Sequence, residues 1–155
     1  MLPPAPRGLH RAADDADIGA AVGNVLAVPY LQIDLPNAYA GDVKAAFARE
    51  LATLYARTME TQPHVPSIAF RELGSGNLVR FQDGALREVA VVMCDIRRGR
   101  DAAQRETLAR EIAALVASSF AIDALQVVVE FTQHAPDEMF RYGAIAPEWS
   151  PSERA

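Results

Sequence analysis

Two stretches of this 155-residue chain repeat one another, and no other feature limits its fold as tightly. Residues 46–59 read AFARELATLYARTM, and residues 107–120 read TLAREIAALVASSF. Ala48-Arg49-Glu50-Leu51-Ala52 matches Ala109-Arg110-Glu111-Ile112-Ala113, while Leu54, Tyr55 and Met59 match Leu115, Val116 and Phe120. Apolar side chains recur at Phe47, Leu51, Leu54 and Tyr55, and again at Leu108, Ile112, Leu115 and Val116. That spacing is the i, i+4, i+7, i+8 stripe of a helix with one buried face. Asp42 and Asp101 stand where N-terminal caps are expected, since a short carboxylate there can accept a free N–H of the first turn.

A strand is predicted before and after each helix. Leu31, Ile33 and Leu35 alternate as Val92, Cys94 and Ile96 do; Ile68-Ala69-Phe70 and Val127-Val128-Val129 follow the helices. A strand that returns parallel needs a crossover, and such crossovers are right-handed. The expected fold is α+β: two tandem βαβ units forming a four-stranded sheet with two helices on one face. Residues 73–87, with Gly74, Gly76 and Gly84, are expected to form a loop or small hairpin. Period-two alternation leaves Tyr30, Gln32, Asp34, Val91, Met93 and Asp95 on the face without helices. That face is too apolar for water, so a second subunit is expected to cover it.

Composition excludes several classes. The net charge is −5 and the basic residues are scattered, which predicts neither a nucleic-acid nor a membrane partner. Cys94 is the only cysteine, so no intrachain disulfide forms and a reducing, cytoplasmic compartment is expected; its apolar surroundings predict a buried, inert thiol. No apolar run reaches the roughly 18 residues that span a bilayer. Arg7 and Arg11 are followed by Asp14, Asp15 and Asp17, an acidic block unsuited to the start of a signal peptide.

A duplicated βαβ chain whose first strand opens with Pro29-Tyr30-Leu31-Gln32-Ile33 resembles the tautomerase superfamily. Within it the chain is most similar to the cis-3-chloroacrylic acid dehalogenase group, from Pro29 to about Trp149. The residues that carry the likeness are Phe70-Arg71-Glu72 with Gly76-Asn77, the turn Arg97-Arg98-Gly99-Arg100, and Met139-Phe140-Arg141-Tyr142-Gly143. The resemblance implies a homotrimer without cofactor or metal. It also implies a proline amine, Pro29, as acid or base, and two arginines, Arg97 and Arg100, that hold a substrate carboxylate. Guanidinium forks at a strand-to-helix turn suit that task, because they match a carboxylate bidentately beside free N–H groups.

The chain departs from the group at three water-activating positions. A histidine, a tyrosine and a glutamate of that group fall on Tyr55, Glu130 and Arg141. These changes argue against water addition to a haloacrylate. Glu130 is a candidate second acid or base, against an exposed strand glutamate; Tyr55 and Arg141 are candidate substrate contacts, although Tyr55 also lies on the apolar stripe. Pro29 has 28 residues before it, and a proline nitrogen inside a peptide bond is an amide with no basic lone pair. Two routes stand open. Val28 can be the nominal translation of a GTG start codon, so that residues 1–27 are upstream sequence; or the 28-residue extension is real, and is either cleaved or retained.

The domain is thus expected over residues 29–149, with residues 150–155 as a frayed tail. His10, His64 and His134 lack a second ligand at metal-site spacing. Gly74-Ser75-Gly76-Asn77 reads as a turn, and Phe140, Tyr142 and Trp149 as aromatics packed over the site or a neighbouring subunit. The leading expectation is keto–enol interconversion of a small 2-oxo acid. Its rivals are a hydratase, dehalogenase or decarboxylase of a short carboxylic acid, and a non-catalytic carboxylate-binding trimer.

Overall fold

In the computed structural model, which describes residues 29–141 and 144–150, the two repeats fold as alternation predicts. β1 (Tyr30–Leu35), α1 (Gly41–Met59) and β2 (Ser67–Glu72) form the first unit. A hairpin follows, β3 (Val79–Gln82) with β4 (Ala85–Glu88), turned at Asp83 and Gly84, both at positive φ. β5 (Ala90–Arg97), α2 (Ala102–Phe120) and β6 (Val127–His134) form the second unit. A short ribbon of β7 (Phe140–Arg141) and β8 (Ala144–Ile145) ends the described chain.

The sheet order is β2-β1-β5-β6. Each unit pairs its own strands in parallel, and the units meet through the antiparallel pair β1–β5. Leu31 faces Cys94 and Ile33 faces Val92 across that seam. Because Leu31 corresponds to Val92 and Ile33 to Cys94 in the repeat, the two contacts are the same contact seen twice. The repeats are therefore related by an approximate two-fold axis normal to the sheet.

The helices are both 19 residues long and each ends on a left-handed residue, Glu60 at φ 54° and Ala121 at φ 55°. Their stripes bury Phe47, Leu51, Leu54, Tyr55 and Met59 from α1, and Leu108, Ile112, Val116 and Phe120 from α2, against Leu31, Ile33, Leu35, Val92, Cys94 and Ile96. Asp101 caps α2, accepting from the Gln104 amide at 2.7 Å, and the Gln104 side chain accepts from the Asp101 amide at 3.2 Å. The expectation for Asp42 is corrected. Helix α1 begins at Gly41 with Ala40 as its N-cap, so Asp42 lies inside the first turn, where its carboxylate takes the Val43 N–H at 2.9 Å. A carboxylate there still favours the positive end of the helix, but it is not the cap.

The helix-free face bears the expected residues, with Asp34 nearly buried between Arg71 (3.5 Å) and Gln32 (3.0 Å). Both hairpins display an exposed cross-strand apolar pair, Phe81 with Leu86 and Phe140 with Ile145. No helix of the described residues is long and apolar enough to cross a membrane.

Candidate functional site

The antiparallel seam brings the start of β1 beside the end of β5. Tyr30 pairs with Asp95, so the register puts Pro29 alongside Ile96, next to the Arg97–Arg100 turn. Pro29 is buried, and its carbonyl accepts the Ser67 N–H at 3.0 Å. The structure thus brings Pro29 and Arg97 to one end of the sheet.

Both arginines are buried, Arg97 at 1% and Arg100 at 4% exposure. Residues 144–150 fold over them. Arg97 Nη1 donates to the Pro147 carbonyl at 2.6 Å, and the Trp149 ring lies 4.8 Å from the Arg100 guanidinium carbon. Gly99 makes that cover possible. Its φ of +119° suits glycine, and a Cβ there would meet Trp149 at 2.9 Å.

Arg100 Nε donates to the Met59 carbonyl at 3.2 Å, tying the turn to the last residue of α1. The first repeat carries the same tie. Tyr39 corresponds to Arg100 and Phe120 to Met59, and Tyr39 Oη donates to the Phe120 carbonyl at 3.2 Å. Each unit thus closes the C-terminus of the other unit's helix, whose last carbonyls have no helical partner. In this structure Arg100 is a helix-closing residue. Its guanidinium faces protein, not an open carboxylate site.

The other candidates scatter. Tyr55 is 1% exposed in the core; burial raises its hydroxyl pKa against the opposing charges of Arg100 and Arg97. This is the packing position its stripe predicted. Cys94 is fully buried, and burial pushes its thiol up to about 12. Glu130 is exposed in mid-β6, paired with Met93 on the helix-free face, separated from β1 by β5 and set back from Pro29. Arg141 lies in β7, and its side chain is outside the described residues, as are Tyr142 and residues 1–28. The glycine turn forms as read: Glu88 accepts from Ser75 Oγ at 2.7 Å and from the Gly76 N–H at 3.1 Å.

Sequence reasoning weighed His134 only as a metal ligand. At the end of β6 it pairs in register with Arg97, and it faces a cleft of about 280 Å³ with Tyr30, Asp95, Glu138, Met139 and Phe140. Continuing the alternation of β6 from Glu130 through Thr132 would have placed it on the helix-free face that also carries Asp95. Among the described residues no three His, Cys, Asp or Glu side chains gather at metal-binding distances.

No family model matches the chain, and no curated protein matches it by sequence. Solved structures do match. A member of the cis-3-chloroacrylic acid dehalogenase family, N1, is 25% identical with a TM-score of 0.67, covering 77% of this chain and 84% of its own. A fused 4-OT solved as an asymmetric trimer, F6, is 19% identical with a TM-score of 0.67, covering 76% of this chain and 95% of its own. Pt0534, solved after inactivation by 2-oxo-3-pentynoate, is 16% identical with a TM-score of 0.66, covering 76% and 94%.

Proposed function

Because this chain belongs by fold to the tautomerase superfamily, with a cis-3-chloroacrylic acid dehalogenase family member among its structural neighbours, we propose that it is a cofactor-independent isomerase of small 2-oxo acids. It interconverts their keto and enol forms. The observation that carries this reading is the meeting of Pro29 and Arg97 at one end of the sheet, at the start of β1 and the end of β5. Arg97 Nη1 already holds an oxygen, the Pro147 carbonyl at 2.6 Å, and a substrate carboxylate takes that oxygen's place when residues 144–150 lift. Arg100 fixes the turn from below. The proline amine moves the proton between carbon and oxygen, which requires that the peptide bond before Pro29 be absent from the mature protein. A nearby guanidinium disfavours protonation of such an amine. The 2-oxo acid that inactivates Pt0534 belongs to the same substrate class and supports the choice.

The working assembly is a homotrimer. Trimeric neighbours support it, as do the half-apolar helix-free face and the exposed Phe81–Leu86 and Phe140–Ile145 pairs. The domain spans 29–149. The test is a rate assay on protein beginning at Pro29, using phenylenolpyruvate and 2-hydroxymuconate. Ketonisation well above buffer is expected, and none on either enol rejects the reading. Intact mass of the native protein decides whether Pro29 is its first residue.

A second reading, a non-catalytic carboxylate-binding trimer, draws on the burial of Arg97 and Arg100 beneath residues 144–150. Ligand binding unchanged in Pro29→Ala, with a native mass that begins at Met1, favours it.

A further inference from the structure

We propose that residues 147–150 are an internal competitor for Arg97, a strap that occupies the carboxylate site and unlatches at Trp149 before a ligand binds. This rests on the carboxylate role of Arg97 in the reading above, and adds what controls access to it.

The two-fold relation shows that the fold does not call for a strap. Each unit ends in a hairpin, β3–β4 in the first and β7–β8 in the second. After β4 ends at Glu88 the chain passes through Val89 and enters β5 at Ala90. After β8 ends at Ile145 it crosses the Arg97–Arg100 turn instead. At the twin end Tyr39 closes helix α2 through the Phe120 carbonyl while lining a cavity of about 630 Å³. Closing a helix therefore takes no strap.

The strap has a fixed end and a latch. Ala146 is the fixed end: it is buried, and its N–H donates to the Met139 carbonyl at 2.9 Å. Pro147 follows and has no N–H to tie down. Its carbonyl accepts from Arg97 Nη1 at 2.6 Å. The latch is Trp149, whose ring lies 4.8 Å from the Arg100 guanidinium carbon. It is seated on Gly99, where a Cβ would stand 2.9 Å from the ring.

Two features make this closed arrangement displaceable. The Trp149 Nε1 is buried without a hydrogen-bond partner, a cost that unlatching recovers. The Pro147 oxygen is a neutral acceptor, whereas a carboxylate makes a charge-assisted, bidentate pair with a guanidinium. An anion can thus take the strap's place. Until it does, the strap lowers the apparent affinity of any carboxylate in proportion to the fraction of molecules that are open. Loosening the latch raises that fraction, so affinity increases when Trp149 is lost.

The test measures pyruvate binding to the full chain by calorimetry, with the emission of Trp149, the only tryptophan, as a second signal. Trp149→Ala should bind pyruvate about 2- to 30-fold more tightly than wild type, the cation–π contribution expressed as an affinity ratio. Trp149→Phe keeps a ring over Arg100 and should stay near wild type. Gly99→Ala pushes the indole off its seat by another route and should also tighten binding. In wild type, pyruvate should shift Trp149 emission to the red, and an equal concentration of potassium chloride should not. A merely structural strap leaves affinity unchanged or lowered in both Trp149→Ala and Gly99→Ala, and that result overturns the proposal. So does pyruvate binding to wild type without a change in emission, or no binding to any of these proteins. Ketonisation by protein beginning at Pro29 is read separately. An inert enzyme with the expected affinities rejects the enol chemistry and keeps the strap; an active one with equal affinities does the reverse. Circular dichroism establishes that each variant is folded.

Discussion

The matched ties between the units yield a quantitative prediction about Arg100. Its guanidinium is 4% exposed, donates to the Met59 carbonyl at 3.2 Å and lies under Trp149 at 4.8 Å. A hydrogen bond from a charged donor contributes about 1.5–3 kcal/mol, and a partly desolvated cation over an indole adds about 0.5–2 kcal/mol. Arg100→Ala removes both and leaves the terminal α1 carbonyl without this donor, so a loss of about 2–4 kcal/mol is expected. For a domain of this size that lowers Tm by roughly 6–12 °C. Tyr39→Phe breaks the equivalent tie in the other unit but removes only a neutral hydrogen bond at 3.2 Å. About 1 kcal/mol is expected for it. The two sites lie at opposite ends of the sheet, so the double variant should be close to additive. Urea unfolding at one fixed protein concentration is the assay, because an oligomer's apparent stability depends on that concentration. Arg100→Ala with a wild-type midpoint and weakened carboxylate binding refutes the argument and returns Arg100 to the substrate.

Gly99→Ala places a Cβ 2.9 Å from Trp149 at φ +119°, so a loss of about 1–3 kcal/mol is expected, read as a lower Tm together with altered Trp149 fluorescence. Asp101→Ala removes a capping box and should cost about 0.5–2 kcal/mol, whereas Asp42→Ala should cost clearly less; paired urea curves compare them. Cys94 should resist iodoacetamide in the native protein at pH 8 and react on unfolding. Its folded thiol titrates near 12, above the ordinary value of 9.0, so its contribution to stability is intact below about pH 9 and is lost as pH rises toward 12. An unfolding midpoint that does not move between pH 9 and pH 11 contradicts that sign.

The fold was legible because the repeat doubles every signal. The apolar stripe of each helix and the alternation of each strand recur with the same spacing, so local errors are checked by the second copy. The Asp42 cap failed because a side-chain signal says little about where the backbone turns: the chain entered α1 at Gly41, and Ala40 capped it without a side chain. The site was harder to read. Arg97 and Arg100 share a turn, yet one reaches residues 144–150 and the other the end of α1, and neither partner is near in sequence. Such choices are set by tertiary packing. His134 was overlooked for a similar reason: its neighbours Tyr30 and Asp95 come from two other strands.

The seam between β1 and β5 has one more effect. Two separate half-length chains paired through the same seam would have to carry identical side chains at both sheet ends. Covalent fusion lifts that obligation. At one end the loop after the strand holds Arg97, Gly99 and Arg100; at the other, the equivalent loop holds Pro36, Ala38 and Tyr39, lining in part a cavity of about 630 Å³. One extremity can thus specialise while its counterpart keeps only the hydroxyl that holds the helix, and a single gene bears both.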